Sequence, residues 1–137
     1  RMTRAPRDAA IGRVLEGVVA AQRLLANVRR RPFAQLQLSS SQLETLYVVA
    51  HSSAPVTPGA LAARLGVTAG AVTQLVEGLK RAELVAQRPH PDDARSRVLL
   101  LTDAARREVD RFEAQVIEDM RGHLAGLSDA EVVELGR

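Results

Sequence analysis

Three potential metal ligands stand within four residues of this sequence, in His90-Pro91-Asp92-Asp93, which offers one imidazole and two carboxylates. Such groups can hold a divalent ion when a further ligand is fixed beside them. No fourth ligand is in sight. His51 and His123 lie in stretches of helical periodicity, where a histidine is ordinarily a surface or hydrogen-bonded residue. The sequence has no cysteine, so thiolate ligands, disulfides and thiol redox chemistry are all ruled out. It has no glycine-rich phosphate loop, nucleophile elbow or paired-histidine motif. With no constellation to carry a reaction, the expectation is a protein that is not an enzyme and needs no metal or cofactor.

Residues 64–97 suggest a different chemistry, the reading of a DNA duplex. Thr68, Ala69, Gly70, Thr73 and Gln74 would lead the second helix of a helix-turn-helix, where side chains meet base edges and backbone N–H groups favour phosphates. The Gln74 amide can pair with adenine, Thr73 can meet a phosphate or a thymine methyl, and Ala69 can cover such a methyl. Arg64, Arg88 and Arg97 are candidates for phosphate contacts. Each of these residues has a plainer alternative as ordinary solvated surface.

The net charge is only +3, but it is unevenly spread. Residues 1–40 carry eight arginines against two acids, and residues 103–137 carry five bases against nine acids. An excess of positive charge over the first three quarters suits a polyanion.

The elements that would position these residues follow from periodicity and capping signals. Ile11, Val14, Leu15, Val18, Leu25 and Val28 recur at helical spacing and predict a helix over 8–30, ending near Arg30-Arg31-Pro32. Ser39 with Gln42 forms a capping box for a helix whose buried stripe is expected to be Leu43, Leu46, Tyr47 and Ala50. Thr57 caps a short helix from Pro58 to about Leu65, and Gly66 stops it. Thr68 caps a fourth helix, with Val72, Leu75, Val76 and Leu79 facing inward. Two short helices joined by a tight glycine-containing turn are the mark of a helix-turn-helix. Leu84–Arg88 and Arg97–Leu101 read as strands around a polar loop, Pro89 to Ser96. Thr102 then caps a long helix carrying Val109, Phe112, Val116 and Met120, and Ser128 with Glu131 opens a last one. The fold class expected is mainly α with a small β-hairpin (α+β), in one domain over 1–137. No run approaches the length of a membrane span and no signal peptide is apparent, so a cytoplasmic protein is expected.

Three strings in this order resemble the MarR family of transcriptional regulators: Leu38-Ser39-Ser40-Ser41-Gln42-Leu43, Leu61-Ala62-Ala63-Arg64-Leu65-Gly66-Val67-Thr68, and Asp93-Ala94-Arg95-Ser96-Arg97-Val98-Leu99-Leu100-Leu101-Thr102. The last is the most specific, because it stands at the right distance behind the helix-turn-helix to be the end of a wing. The resemblance implies a winged helix-turn-helix over 39–102 and a homodimer held by 8–30 and 103–137. It further implies a repressor that docks two winged modules on a palindromic operator in double-stranded DNA. It places Arg95 at the wing tip, in a minor groove whose negative potential is strongest where A·T pairs narrow it. Asp93, two residues earlier, is expected to shape the wing by pairing with an arginine. The family often binds aromatic or other anionic effectors between its dimerisation helices and winged module. With aromatic residues at 2% of the chain, no pocket can be pointed to here.

Two departures from relatives stand out. Neither Ala69 nor Gln74 is an arginine, which weakens the case for guanine readout. Glu83 occupies a position usually held by glycine, so either the turn differs or a left-handed glutamate is tolerated there. The alternative function is a winged-helix module that contacts proteins and has no specific DNA binding, and salt-dependent duplex binding separates the two.

Overall fold

A computed structural model of the chain describes residues 4–27 and 32–137; the side chains of Leu24, Leu25 and Asn27 lie outside the described set. The expected end of the first helix near Arg30-Arg31, and Leu25 and Val28 of its stripe, therefore fall outside what is described. The chain divides into two units, 1–31 and 32–137.

The first unit is α1 (Arg4–Asn27), which begins four residues before the expected start. Its Ile11, Val14, Leu15, Val18 and Val19 are all exposed and form an apolar stripe.

The second unit runs α2 (Ser40–His51), α3 (Pro58–Leu65), α4 (Ala69–Arg81), β1 (Val85–Pro89), β2 (Arg97–Leu101), α5 (Asp103–Leu124) and α6 (Asp129–Leu135). The fold is thus mainly α with one antiparallel hairpin, in the order of a winged helix-turn-helix. Every helix of this unit starts on a Ser or Thr whose hydroxyl accepts a backbone N–H three residues on: Ser39, Thr57, Thr68, Thr102 and Ser128. Such caps satisfy donors that a helix start leaves unpaired. At Ser39 and Ser128 the return bond of the capping box is present too, from Gln42 and Glu131.

Two apolar clusters hold this unit together. Phe33, Leu46, Leu79, Leu84, Val85, Ala105 and Val109 form one, and Val48, Val49, Val56, Leu61, Val72, Val76 and Leu99 form the other. Helices α2 and α4 contribute to both, so each is gripped along its length. Where α2 meets α4, a Cβ at Gly78 would stand 2.9 Å from Nε2 of Gln42, so the absence of a side chain at 78 lets the capping glutamine lie against α4.

The stripe expected on α2 needs correction. Tyr47 is 62% exposed, its ring centroid 4.4 Å from that of His51 one turn on. The buried arc is instead Thr45, Leu46, Val48 and Val49, with Leu43 and Ala50 half-buried at its margins. Thr45 can be buried because its hydroxyl donates to the Ser41 carbonyl at 2.8 Å within the same helix. The first strand begins at Val85, one residue later than expected, because the Leu84 N–H turns back to the Leu79 carbonyl at 2.9 Å to finish α4. On its other edge β2 gains a bridge to Val56, whose carbonyl accepts the Leu99 N–H at 2.8 Å.

Candidate nucleic-acid interface

Helices α3 and α4 meet at 111°, within the range of helix-turn-helix motifs. The turn works because Gly66 adopts φ 67°, which glycine takes without steric cost, while Val67 packs against the core. Helix α4 buries Val72, Val76 and Leu79 on one side. Helical periodicity then sends Ala69, Gly70, Thr73 and Gln74 to the opposite side, and all four are exposed along with the cap Thr68. The Thr68 hydroxyl accepts the Ala71 N–H at 3.1 Å, and the Thr73 hydroxyl donates to the Ala69 carbonyl at 3.1 Å.

The hairpin is set behind this helix by contacts that periodicity does not reveal. The Thr102 hydroxyl donates to the Glu83 carbonyl at 2.8 Å and accepts the Ala105 N–H at 3.2 Å. The Thr102 N–H reaches the Leu84 carbonyl at 3.0 Å. One residue thus ties the end of α4, the approach to β1 and the start of α5. Lys80 adds a link across the exposed side, with Nζ 3.5 Å from Oε1 of Gln87 on β1 and 3.0 Å from Glu77. The pairing runs from Val85 opposite Leu101 to Pro89 opposite Arg97. A proline is tolerated there because it closes the strand.

The question left open at Glu83 is answered by its φ of 58°. The left-handed backbone is kept, with glutamate where glycine would be unstrained. The N–H of Glu83 bonds the Lys80 carbonyl and that of Leu84 the Leu79 carbonyl, both at 2.9 Å, the pattern of a Schellman ending. Leu79 and Leu84 also share one apolar cluster, the contact that usually accompanies this motif.

At the wing tip, Asp93 accepts the Arg95 N–H at 3.0 Å on one oxygen and the Ser96 hydroxyl at 3.2 Å on the other. Its carbonyl takes the Ser96 N–H, and the His90 N–H donates to the Ser96 carbonyl. Asp93 therefore folds the tip through the backbone and a hydroxyl, not through the arginine pair that was expected. Nδ1 of His90 accepts the Asp92 N–H at 3.0 Å, so that ring is turned into the loop.

Arg64, Arg88, Arg95 and Arg97 are exposed, and none forms an ion pair among the described residues. Three of the five arginines of α5 and beyond behave differently. Arg111 pairs with Glu108, Arg121 with Glu118 and Arg137 with Glu134, each one helical turn away. Four arginines of the winged half are thus without a carboxylate partner among the described residues, while three of those on the C-terminal helices have one.

Residues 36–96 match the MarR family. The fold is similar to that of a transcriptional regulator from Thermotoga maritima, at 19% identity over 90% of this chain and 87% of that one, with a TM-score of 0.66. A MepR mutant from S. aureus is similar at 22% identity over 99% and 91%, with a TM-score of 0.65. CouR from Rhodococcus jostii, solved bound to p-coumaroyl-CoA, is similar at 23% identity over 91% and 85%, with a TM-score of 0.60. No curated protein matches the chain.

Proposed function

We propose that this chain, whose residues 36–96 match the MarR family, is a sequence-specific regulator of transcription that represses by binding a palindromic operator as a homodimer. The observation that carries the reading is the exposed, uncharged leading face of α4 together with exposed Arg64, Arg88, Arg95 and Arg97, which have no carboxylate partners among the described residues. Phosphates attract such cations, while the uncharged residues of α4 are left to face base edges. Arg95, on a tip folded by Asp93, is the minor-groove residue in this reading, and Arg64, Arg88 and Arg97 hold phosphates.

The dimer is proposed to form through α1, α5 and α6. Val14 is 66% exposed, Ile117 57% and Leu135 71%, and apolar stripes of this kind on helices are commonly closed by another chain. A small aromatic or anionic effector is proposed to release the DNA, a reading supported by the CouR neighbour solved with p-coumaroyl-CoA. No helix among the described residues is long and apolar enough alone to cross a membrane, which fits action on DNA in the cytoplasm.

Two measurements test the proposal. Sedimentation at micromolar concentration should give about twice the 14.8 kDa chain mass, and a monomer would refute the dimer. Duplex binding should weaken steeply with salt; four cations from each subunit, three on phosphates and Arg95 in the minor groove, correspond to a log–log slope of about −7. A module that binds only proteins would show no duplex affinity even at low salt.

A further inference from the structure

The face that α4 offers is defined by what it lacks. Ala69, Gly70, Thr73 and Gln74 carry no charge, and the first turn has no acid. Guanine is read in the major groove by a cation that donates to O6 and N7, and cytosine by a carboxylate that accepts from N4. Neither is present at the leading positions. Glu77, one turn further along, is held by Lys80 at 3.0 Å. What remains is chemistry suited to A·T pairs, whose thymine alone presents a methyl group in this groove.

Thr73 decides between the two roles its residue type permits. A threonine hydroxyl has a single proton to donate, and here it goes to the Ala69 carbonyl at 3.1 Å. Phosphate oxygens only accept, so Thr73 has no donor left for one. Its uncommitted group is the γ-methyl. Ala69 supplies a second methyl one turn earlier, on the same face of the helix at a separation of ~6 Å, close to two base steps along one strand. Between them lies Gly70, where an added Cβ would meet only Oγ1 of Thr68, at 4.0 Å, so the backbone there is bare and open to close approach.

We propose that α4 reads a half-site core of A·T pairs through thymine methyl groups, one covered by Thr73 and one by Ala69, with Gln74 on a neighbouring adenine. This deepens the function proposed above and rests on it. The experiment uses the full chain. Bound duplexes are selected from a random-sequence pool, and each thymine of the tightest one is then replaced by deoxyuridine, which removes the methyl alone.

The expected result is an A·T core in which uracil weakens binding roughly three- to fivefold at two positions per half-site, the effect of one buried methyl each. Thr73→Val, which keeps a methyl and deletes the hydroxyl, should keep the preference for thymine over uracil at both positions. Thr73→Ser, which does the reverse, should abolish it at one of them. Selection of G·C cores, or equal binding of uracil and thymine, overturns the inference and leaves DNA binding standing. A uniform loss on all duplexes with Thr73→Val also overturns it, by making the hydroxyl a backbone contact. Retention of no duplex at low salt overturns both this inference and the function beneath it.

Discussion

Replacing Glu83 with glycine should stabilise the chain, and the size of the gain follows from the geometry of the α4 ending. At φ 58° the Glu83 Cβ crowds its own backbone, a cost of roughly 1–2 kcal/mol for a residue with a side chain. Its carboxylate also sits just past a helix C-terminus, where the dipole opposes negative charge by ~0.3 kcal/mol at an exposed site. Against these gains, glycine loses about 0.5–1 kcal/mol more conformational entropy on folding. The balance is a stabilisation of about 1 kcal/mol, or roughly 3–5 °C in Tm for a chain of this length. Chemical denaturation at fixed protein concentration should show a higher midpoint and an unchanged m-value. Glu83→Ala is the decisive control: it removes the carboxylate but keeps the Cβ, so it should move stability by only a few tenths of a kcal/mol. If glycine is no better than alanine, the left-handed backbone is not the source of the cost and the reasoning fails.

Three further outcomes follow from the same structure. Thr102→Val removes both the cap of α5 and the bond to the Glu83 carbonyl, and should destabilise by about 2 kcal/mol in thermal or denaturant unfolding. Arg95→Ala should weaken operator binding, lower the salt slope by about one unit per subunit and flatten any preference for A·T pairs flanking the half-sites, whereas Arg97→Ala should leave that preference intact. Glu131 is held below the usual glutamate range by the Ser128 backbone N–H and then by the Ser128 hydroxyl. A carboxyl depressed in the folded state adds stability that is present above its unfolded value and lost as pH falls through the folded one. Protection of the α6 amides, measured against the intrinsic exchange rate at each pH, should therefore fall as the pH drops below the ordinary glutamate range, and Glu131→Gln should remove that dependence.

How far the chain could be read without its structure depended on the range of the forces involved. Ser39, Thr57, Thr68, Thr102 and Ser128 were legible as caps because each acts on an amide three residues away, within the same stretch of sequence. The exposed face of α4 was legible too, since Val72, Val76 and Leu79 fix its phase by spacing. Tyr47 was misplaced because α2 is apolar over more than one stripe, and a rotation of one residue position decides which side chains reach the core. The Val56 bridge and the reach of Thr102 to Glu83 join residues far apart in sequence, and no local signal marks either. Asp93 was legible as a residue that shapes the wing but not in its partners, because loop carboxylates choose between side chains and nearby amides by backbone path. The commitment of the Thr73 hydroxyl was equally hidden, because its helical setting permits that bond without requiring it.

The contact between Gln42 and Gly78 makes the effect of a substitution at one site depend on the residue at the other. Alanine at 78 would gain about 1 kcal/mol in helix propensity, yet its Cβ displaces the Gln42 amide whose oxygen accepts the Ser39 N–H at 2.9 Å, a bond of ~1 kcal/mol. With glutamine at 42, Gly78→Ala is therefore close to neutral. Once a shorter residue stands at 42, the same change becomes stabilising. Positions 39, 42 and 78 thus form a small epistatic group, in which the order of two mutations decides whether the intermediate loses stability.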